Sequence, residues 1–198
     1  SSIVGGNDDG VVRHSFSIIV PTFQRRDSVL RLVRSLSVQD CKFSFECIVV
    51  IDGSTDGTAS SVREIESKFP LTVIEQDNLG AAAARNAGAA QAVGEYLLFL
   101  DDDMEAETGL ITAHANRLSG GADVVVGHIP LHPESPQTDL SRAVGEWAEG
   151  RLRRLSEPGA ELRLEDVLTG QMSIRRADFI ASRGFDTAFT AGGTFGNE

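Results

Sequence analysis

The residues of the chain best suited to bind a ligand are three adjacent aspartates, Asp101, Asp102 and Asp103, which directly follow an apolar run. Neighbouring carboxylates repel one another, and a cation bound among them relieves that repulsion. Hard divalent ions such as Mn²⁺ and Mg²⁺ prefer carboxylate and phosphate oxygens. We therefore predict a divalent cation at Asp101 and Asp103, whose side chains flank Asp102 and can point the same way. The alternative is a solvated acidic turn.

Other polar residues also follow apolar runs. Asp52-Gly53-Ser54 and Asp77-Asn78 stand in such positions, as does Pro21-Thr22-Phe23. Ligands of parallel α/β sheets bind beyond the carboxyl ends of the strands, so these segments predict one shared site. Arg85 stands near the start of an alanine-rich helix, where a cation gains nothing from the helix dipole. An anion bound at the shared site would explain it, with a surface salt bridge as the alternative.

The overall charge restricts the partners. The chain of 198 residues has 18 Lys and Arg against 29 Asp and Glu, for a formal net charge of −11. Most of the surface should therefore repel polyanions, which argues against nucleic acids and anionic membranes as broad partners. An acidic protein that handles a phosphorylated small molecule needs a bound cation or a few well-placed arginines.

The elements that position these residues alternate between strands and helices. Short apolar runs predict buried strands, and the first of them should end at Pro21. The predicted strands are Phe16–Val20, Cys47–Ile51, Leu71–Ile74, Tyr96–Leu100, Val124–Val126 and Met172–Ile174. Helical periodicity connects them, including a helix that begins near Thr58 and carries Val62, Ile65 and Phe69. This alternation predicts an α/β fold with a mainly parallel sheet covered on both faces.

The domain organisation is simple. Residues 1–14 are polar and glycine-rich and are predicted to be flexible, whereas residues 15–198 form one domain. In a helix near residues 141–155, Trp147 and its apolar neighbours predict a packing face. Arg151, Arg153 and Arg154 predict a solvated face, with contacts to an acidic or lipid-phosphate acceptor as the alternative. No apolar run approaches the roughly 18 residues that span a bilayer. The sequence thus favours a cytoplasmic location, with the inner face of a membrane as an alternative.

Two common nucleotide-binding motifs do not occur in the sequence. No G-x-G-x-x-G follows the first strand, which argues against a dinucleotide dehydrogenase, and no G-x-x-x-x-G-K-[ST] is present, which argues against a P-loop NTPase.

Four segments taken together resemble the family 2 glycosyltransferases of the GT-A fold. They are Ser17–Phe23, Asp52–Asp56, Gly80 with Ala84-Arg85-Asn86, and Asp101-x-Asp103, and the resemblance runs from about Phe16 to Glu198. It implies a three-layer αβα sandwich. It also implies inverting transfer from a nucleotide-diphospho-sugar, most often UDP-linked, to a glycan, lipid or small-molecule acceptor with Mn²⁺ or Mg²⁺.

The resemblance also implies roles for individual residues. The pocket for the nucleotide base would be lined by Pro21, Thr22 and Phe23. Asp52 would accept a hydrogen bond from the base. Arg85 would assist at the base or phosphates, Asp101 would meet the ribose and Asp103 would bind the metal. The remaining donor-site candidates are Arg25, Gly80, Asp102 and Gln171. By the resemblance, the expected general base belongs to an element that starts near Gly196-Asn197-Glu198. Glu198 is therefore only a weak catalytic candidate, and the domain is expected to be truncated at its C-terminal end.

Two rival functions remain open. A sugar-phosphate nucleotidyltransferase would need a glycine-rich loop with Arg and Lys after the first strand, where this chain has Phe23-Gln24-Arg25-Arg26. A nucleotide-sugar-binding module without a complete catalytic site is the non-enzymatic alternative.

Overall fold

A computed structural model describes residues 15–163 and 166–189. The strands are β1 (Phe16–Thr22), β2 (Phe45–Asp52), β3 (Leu71–Gln76), β4 (Tyr96–Leu100), β5 (Val124–Val126) and β6 (Gln171–Arg175). The helices are α1 (Arg26–Leu36), α2 (Thr58–Arg63), α3 (Ala81–Gln91), α4 (Leu110–Ser119), α5 (Asp139–Ser156) and α6 (Arg176–Ala181), followed by a 3₁₀ turn at Thr187–Phe189. The predicted flexibility of residues 1–14 concerns a segment outside the described residues.

The six strands form one sheet in the order β3-β2-β1-β4-β6-β5. β1 pairs in parallel with β2 and β4, and β2 pairs in parallel with β3. β6 is antiparallel to both β4 and β5. The predicted mainly parallel sheet is therefore confirmed. Because the chain connects β1 to β4 through helices, the carboxyl ends of these four strands meet at one edge.

Alternating residues of the strands feed two apolar layers, one on each face of the sheet. Ile18 and Val20 pack with α1, α2 and α4, whereas Ile19 packs with α3 and α6. Tyr96, Leu98 and Leu100 likewise face the first layer while Leu97 and Phe99 face the second. Side chains of a strand alternate between faces, so strands that are apolar throughout need cover on both sides. The result is the predicted three-layer αβα sandwich.

Small residues let α3 lie close to the sheet. Ala84 and Ala89 are buried in the second apolar layer. A Cβ atom added at Gly88 would lie only 2.5 Å from Cγ2 of Ile19, so a larger residue there would push the helix away. The alanine-rich composition of this helix is thus explained by close packing on β1 and β2.

Two boundaries differ from the prediction. β1 continues through Pro21 to Thr22 instead of ending before it. Pairing with β4 stops at Ile19, so Pro21 stands where the strand has only one partner and a missing N–H is tolerated. Helix α2 ends at Arg63, so Ile65 and Phe69 reach the core from the loop that follows.

Helix α5 presents its faces differently from the prediction. Trp147 is half exposed, and Leu140 and Val144 on the same side are exposed as well, so the predicted packing face is wrong. Arg151, predicted on a solvated face, is buried instead. It and Arg154 both contact the buried carboxylate of Asp166, because an arginine inside a protein needs a charged partner.

None of the helices in the described ranges is both long enough and apolar enough to cross a bilayer.

Candidate functional site

An open cavity of about 280 Å³ lies at the carboxyl edge of the parallel strands. Its lining residues come from the ends of β1, β2 and β4, the start of α3 and the loops between them. They are Pro21, Thr22, Phe23, Arg25, Asp52, Ala81, Arg85, Asp101, Asp102 and Asp103. Nine of the ten were predicted from the sequence as site residues, and Ala81 is the addition. The separate strand ends therefore do converge on one space.

Asp52 closes one side of the cavity and organises the start of α3. Its Oδ1 accepts from Nε2 of Gln76 at 2.8 Å and from the backbone N–H of Leu79 at 2.9 Å. Its Oδ2 accepts from the N–H of Gly80 at 2.9 Å. Gly80 has φ of 89°, which glycine adopts without strain, and so presents its N–H to the carboxylate. A carboxylate oxygen has two acceptor positions, so Oδ2 retains one for a ligand.

Asp102 lies at the floor of the cavity and is buried. Its Oδ2 accepts from Oγ1 of Thr22 at 2.6 Å, and Nη1 of Arg25 donates to its Oδ1 at 3.2 Å. Burial raises the pKa of Asp102, against the hydrogen bond from Thr22 and the charge of Arg25. The middle aspartate thus ties β1 to β4 and has few positions left for a ligand.

Arg25 joins the second and third aspartates. The same Nη1 that contacts Asp102 donates to Oδ2 of Asp103 at 2.9 Å. The pKa of Arg25 is raised, chiefly by the charge of Asp102 and further by that of Asp103. The side chains of Arg25 and Asp103 are both more than half exposed, so this bridge lies at the cavity mouth.

Arg85 and Asp101 form the other ion pair of the site. Nη2 of Arg85 donates to Oδ1 of Asp101 at 2.6 Å, and only 12% of the Arg85 side chain is exposed. Its Nε is buried and has no hydrogen-bond partner in the described part of the chain. Asp101 also touches the segment before β6, because a Cβ at Gly170 would lie 2.6 Å from its Oδ2. Arg85 therefore lines the cavity and carries a buried donor without a partner in the described ranges, a state that folded proteins rarely leave unexplained.

Asn86 holds a distant segment against Arg85, a role that the sequence analysis did not assign. Its Nδ2 donates to the carbonyl of Phe185 at 2.8 Å and its Oδ1 accepts from the N–H of Phe185 at 2.9 Å. The ring of Phe185 lies 5.8 Å from the guanidinium carbon of Arg85. The signals in the sequence were its place in the Ala84-Arg85-Asn86 segment of the resemblance and an asparagine inside a helix, where the side chain gains little without a specific partner.

Gln171 does not line the cavity. It pairs with Leu100 at the start of β6, and its Nε2 lies 3.3 Å from Nε2 of His114. His114 is buried, its Nδ1 lies 2.6 Å from Oγ of Ser173, and burial lowers its pKa to about 4. Gln171 therefore belongs to a polar cluster between α4 and β6, and its predicted contact with the donor stays a prediction. Glu198, the weak catalytic candidate, lies outside the described residues.

The carboxylates fit a metal ion only in part. Among residues 15–163 and 166–189, no three His, Cys, Asp or Glu side chains cluster as in a site built wholly of protein. Mg²⁺-type sites, however, commonly use one or two carboxylates and take the other oxygens from phosphates and water. Asp103 is exposed, and within the described ranges only its Oδ2 is hydrogen-bonded, to Arg25, so the carboxylate suits a cation that arrives with a diphosphate.

Comparison with known proteins identifies the family to which the sequence is similar. The family described as Glycosyl transferase family 2 matches residues 17–181. Validoxylamine A glucosyltransferase of Streptomyces hygroscopicus subsp. jinggangensis is 30% identical over 205 residues, which cover 89% of this chain and 48% of that protein. Poly(ribitol-phosphate) beta-N-acetylglucosaminyltransferase TarS of Staphylococcus aureus (strain Mu50) is 41% identical over 91 residues, or 44% of this chain and 16% of TarS. The chain spans less than half the length of these relatives.

Solved structures extend the likeness to the fold. The crystal structure of S. aureus TarS 1–349 in complex with UDP matches with a TM-score of 0.69 and 25% identity, over 90% of this chain and 52% of that one. The mannosyltransferase PcManGT of Pyrobaculum calidifontis, solved with GDP-Man and Mn²⁺, matches with a TM-score of 0.67 and 22% identity, over 89% and 48% of the two chains. The second match concerns the fold alone.

Proposed function

The chain belongs to family 2 of the glycosyltransferases, and from that premise we propose that it transfers a sugar from a nucleotide-diphospho-sugar to an acceptor hydroxyl with inversion. The observation that carries the proposal is that Asp52, Arg85 and the three aspartates line one shared cavity. We propose a UDP-sugar as the donor, since TarS, which this chain resembles, has been solved with UDP and with UDP-GlcNAc.

The base would bind between Phe23 and Asp52. The ring of Phe23 is 44% exposed beside the cavity, so it can stack on a planar base. Oδ2 of Asp52 has one acceptor position left after its bond to Gly80. A base with an N–H donor on its pairing edge, as uracil has, would use that position.

The diphosphate would bind beside Arg85. Its buried Nε lacks a partner in the described ranges, and its guanidinium is held by Asp101 and Phe185. A phosphate oxygen would satisfy that donor and add a charge-assisted hydrogen bond. Because the chain has a net charge of −11, a nucleotide diphosphate needs positively charged side chains such as Arg85 near it in order to bind.

Asp103 would hold the divalent cation, Mn²⁺ or Mg²⁺, with Asp101 near the ribose. When bound, the cation would neutralise charge that develops on the departing nucleotide. Asp102 would keep the strand ends together through Thr22, so that the exposed carboxylates face the donor. The acceptor hydroxyl would attack the anomeric carbon of the donor sugar from the face opposite the nucleotide, whose bond to that carbon breaks. A carboxylate would take the proton of the hydroxyl.

Calorimetric titration with UDP, GDP and dTDP, each with and without Mn²⁺, tests the donor site. We expect UDP to bind in a Mn²⁺-dependent manner, and Asp103→Ala to weaken that binding by about tenfold or more, as expected when a charged ligand group is lost. Asp123→Ala is the matched control, because it removes an exposed aspartate that does not line the cavity. UDP binding that ignores both Mn²⁺ and the loss of Asp103 would contradict the proposal.

A further inference from the structure

Arg25 and Arg85 hold the aspartates of the site in unequal ways. Arg85 is largely buried, and Phe185 lies against its guanidinium. The side chain of Arg25 is 54% exposed, and its only ion-pair partners in the described ranges are Asp102 and Asp103. The pair with Asp103 is exposed on both sides, and an ion pair of that kind is weak and readily exchanged.

Arg25 occupies the position where a cation would gain most. One nitrogen, Nη1, lies 3.2 Å from Asp102 Oδ1 and 2.9 Å from Asp103 Oδ2. A divalent cation on Asp103 would lie within a few ångströms of the guanidinium, and two positive charges at that separation repel one another. The carboxylates can therefore be neutralised by Arg25 or by a metal, but not favourably by both at once.

Arg25 also has space into which it can move. It lines the 280 Å³ cavity of the candidate site and also an open cavity of about 480 Å³ formed by the loop after β1, the start of α1 and Asp56. Among the described residues, the other arginine that lines this second cavity is Arg26, which pairs with its neighbour Asp27 instead of with the three aspartates.

We propose that Arg25 is an internal counter-ion that competes with the divalent cation for Asp103 and, once displaced, binds the diphosphate of the donor. This inference rests on the proposed function, because it takes Asp103 as the metal ligand. It makes Arg25 a residue with opposite effects on two ligands: it weakens the binding of metal alone and strengthens the binding of metal with nucleotide.

The first test measures Mn²⁺ binding without nucleotide, by the electron paramagnetic resonance signal of free Mn²⁺. We expect Arg25→Ala to bind Mn²⁺ about twofold to fivefold more tightly than the unmodified chain, the range expected for loss of a half-exposed ion pair. Arg26→Ala is the control, since it removes the same charge one residue away without touching the aspartates. Arg25→Met, which keeps the apolar stem, should behave like Arg25→Ala and guards against a folding defect.

The second test measures UDP binding at saturating Mn²⁺. Here we expect Arg25→Ala to weaken UDP binding by about tenfold, as for a lost charge-assisted contact, and Arg26→Ala to leave it within about twofold. The inference is overturned if Arg25→Ala and Arg25→Met bind Mn²⁺ alone no more tightly than Arg26→Ala does, or if UDP binds equally well without Arg25. If the unmodified chain binds no UDP at all, the proposed function fails, while the comparison with Mn²⁺ alone still decides whether Arg25 competes for the carboxylates.

Discussion

The two halves of the sheet are built for different tasks. In the parallel half, β3-β2-β1-β4, strands β1 and β4 are buried along their whole length and the strand ends supply the candidate site. In the antiparallel half, β6-β5, strand β5 is partly exposed and the polar residues His114, Ser173 and Gln171 bind one another between α4 and β6. Parallel strands bring their ends together at one edge, so the buried half can also serve a ligand.

The difference in burial should appear as a difference in stability. Ile19 is fully buried beneath α3, so we expect Ile19→Ala to lower the free energy of unfolding by about 3–4 kcal/mol through lost burial and a residual cavity. Val125 in β5 is only half-buried, and Val125→Ala should cost about 1 kcal/mol. Urea denaturation of the two variants measures both values. Equal losses would show that the two halves contribute alike.

The antiparallel half should nevertheless dominate the response to mild acid. Because burial lowers the pKa of His114 from 6.5 to about 4, the unfolded chain binds a proton between those values that the folded chain does not. Stability should thus be complete above pH 6.5 and fall by about 3 kcal/mol as the pH drops toward 4. Urea denaturation at pH 7.5 and 5 should show about 2 kcal/mol of this loss, because the linked protonation is not complete at pH 5. His114→Gln should flatten the dependence, and an unchanged slope in that variant would exclude His114 as its source.

The Asn86 contact links the parallel half to the last described segment. Asn86→Ala removes two hydrogen bonds to the backbone of Phe185 and should lower the free energy of unfolding by about 1–2 kcal/mol. Loss of this clamp, the two hydrogen bonds between Asn86 and Phe185, should also free the Phe185 ring from the Arg85 guanidinium. UDP affinity should therefore fall together with the stability. Chemical denaturation and calorimetry of the same sample check both effects. Stability reduced with UDP affinity unchanged would show that the clamp serves the fold alone.

The exposed side of α5 should be the least sensitive region. Leu140 is 75% exposed, so Leu140→Gln should change the free energy of unfolding by no more than about 0.5 kcal/mol. A thermal melt beside that of Val125→Ala gives the comparison. A loss larger than that of Val125→Ala would mean that this side of α5 is packed against other residues in solution.

Much of the fold could be predicted because its signals are local. Runs such as Tyr96–Leu100 are apolar at every position, which is the pattern of a strand covered on both faces, and the helices between them follow from periodicity. The strand ends of a parallel sheet share an edge, so the meeting of Asp52 with Asp101 and Asp103 could also be expected. Where local signals were weak the prediction failed, as at Trp147, whose apolar neighbours do not tell which side of α5 faces the core.

The sequence by itself determined which side chains end the strands and therefore what chemistry the edge can perform. Only the tertiary structure decided how those side chains are partnered: Arg25 with Asp102 and Asp103, Arg85 with Asp101, and Asn86 with a segment 99 residues away. The tertiary structure also turned Gln171 toward His114 by placing β6 between β4 and β5. The physical reason is that strand composition is set by burial, which neighbours in sequence report, whereas ion pairs form between residues that only folding brings together.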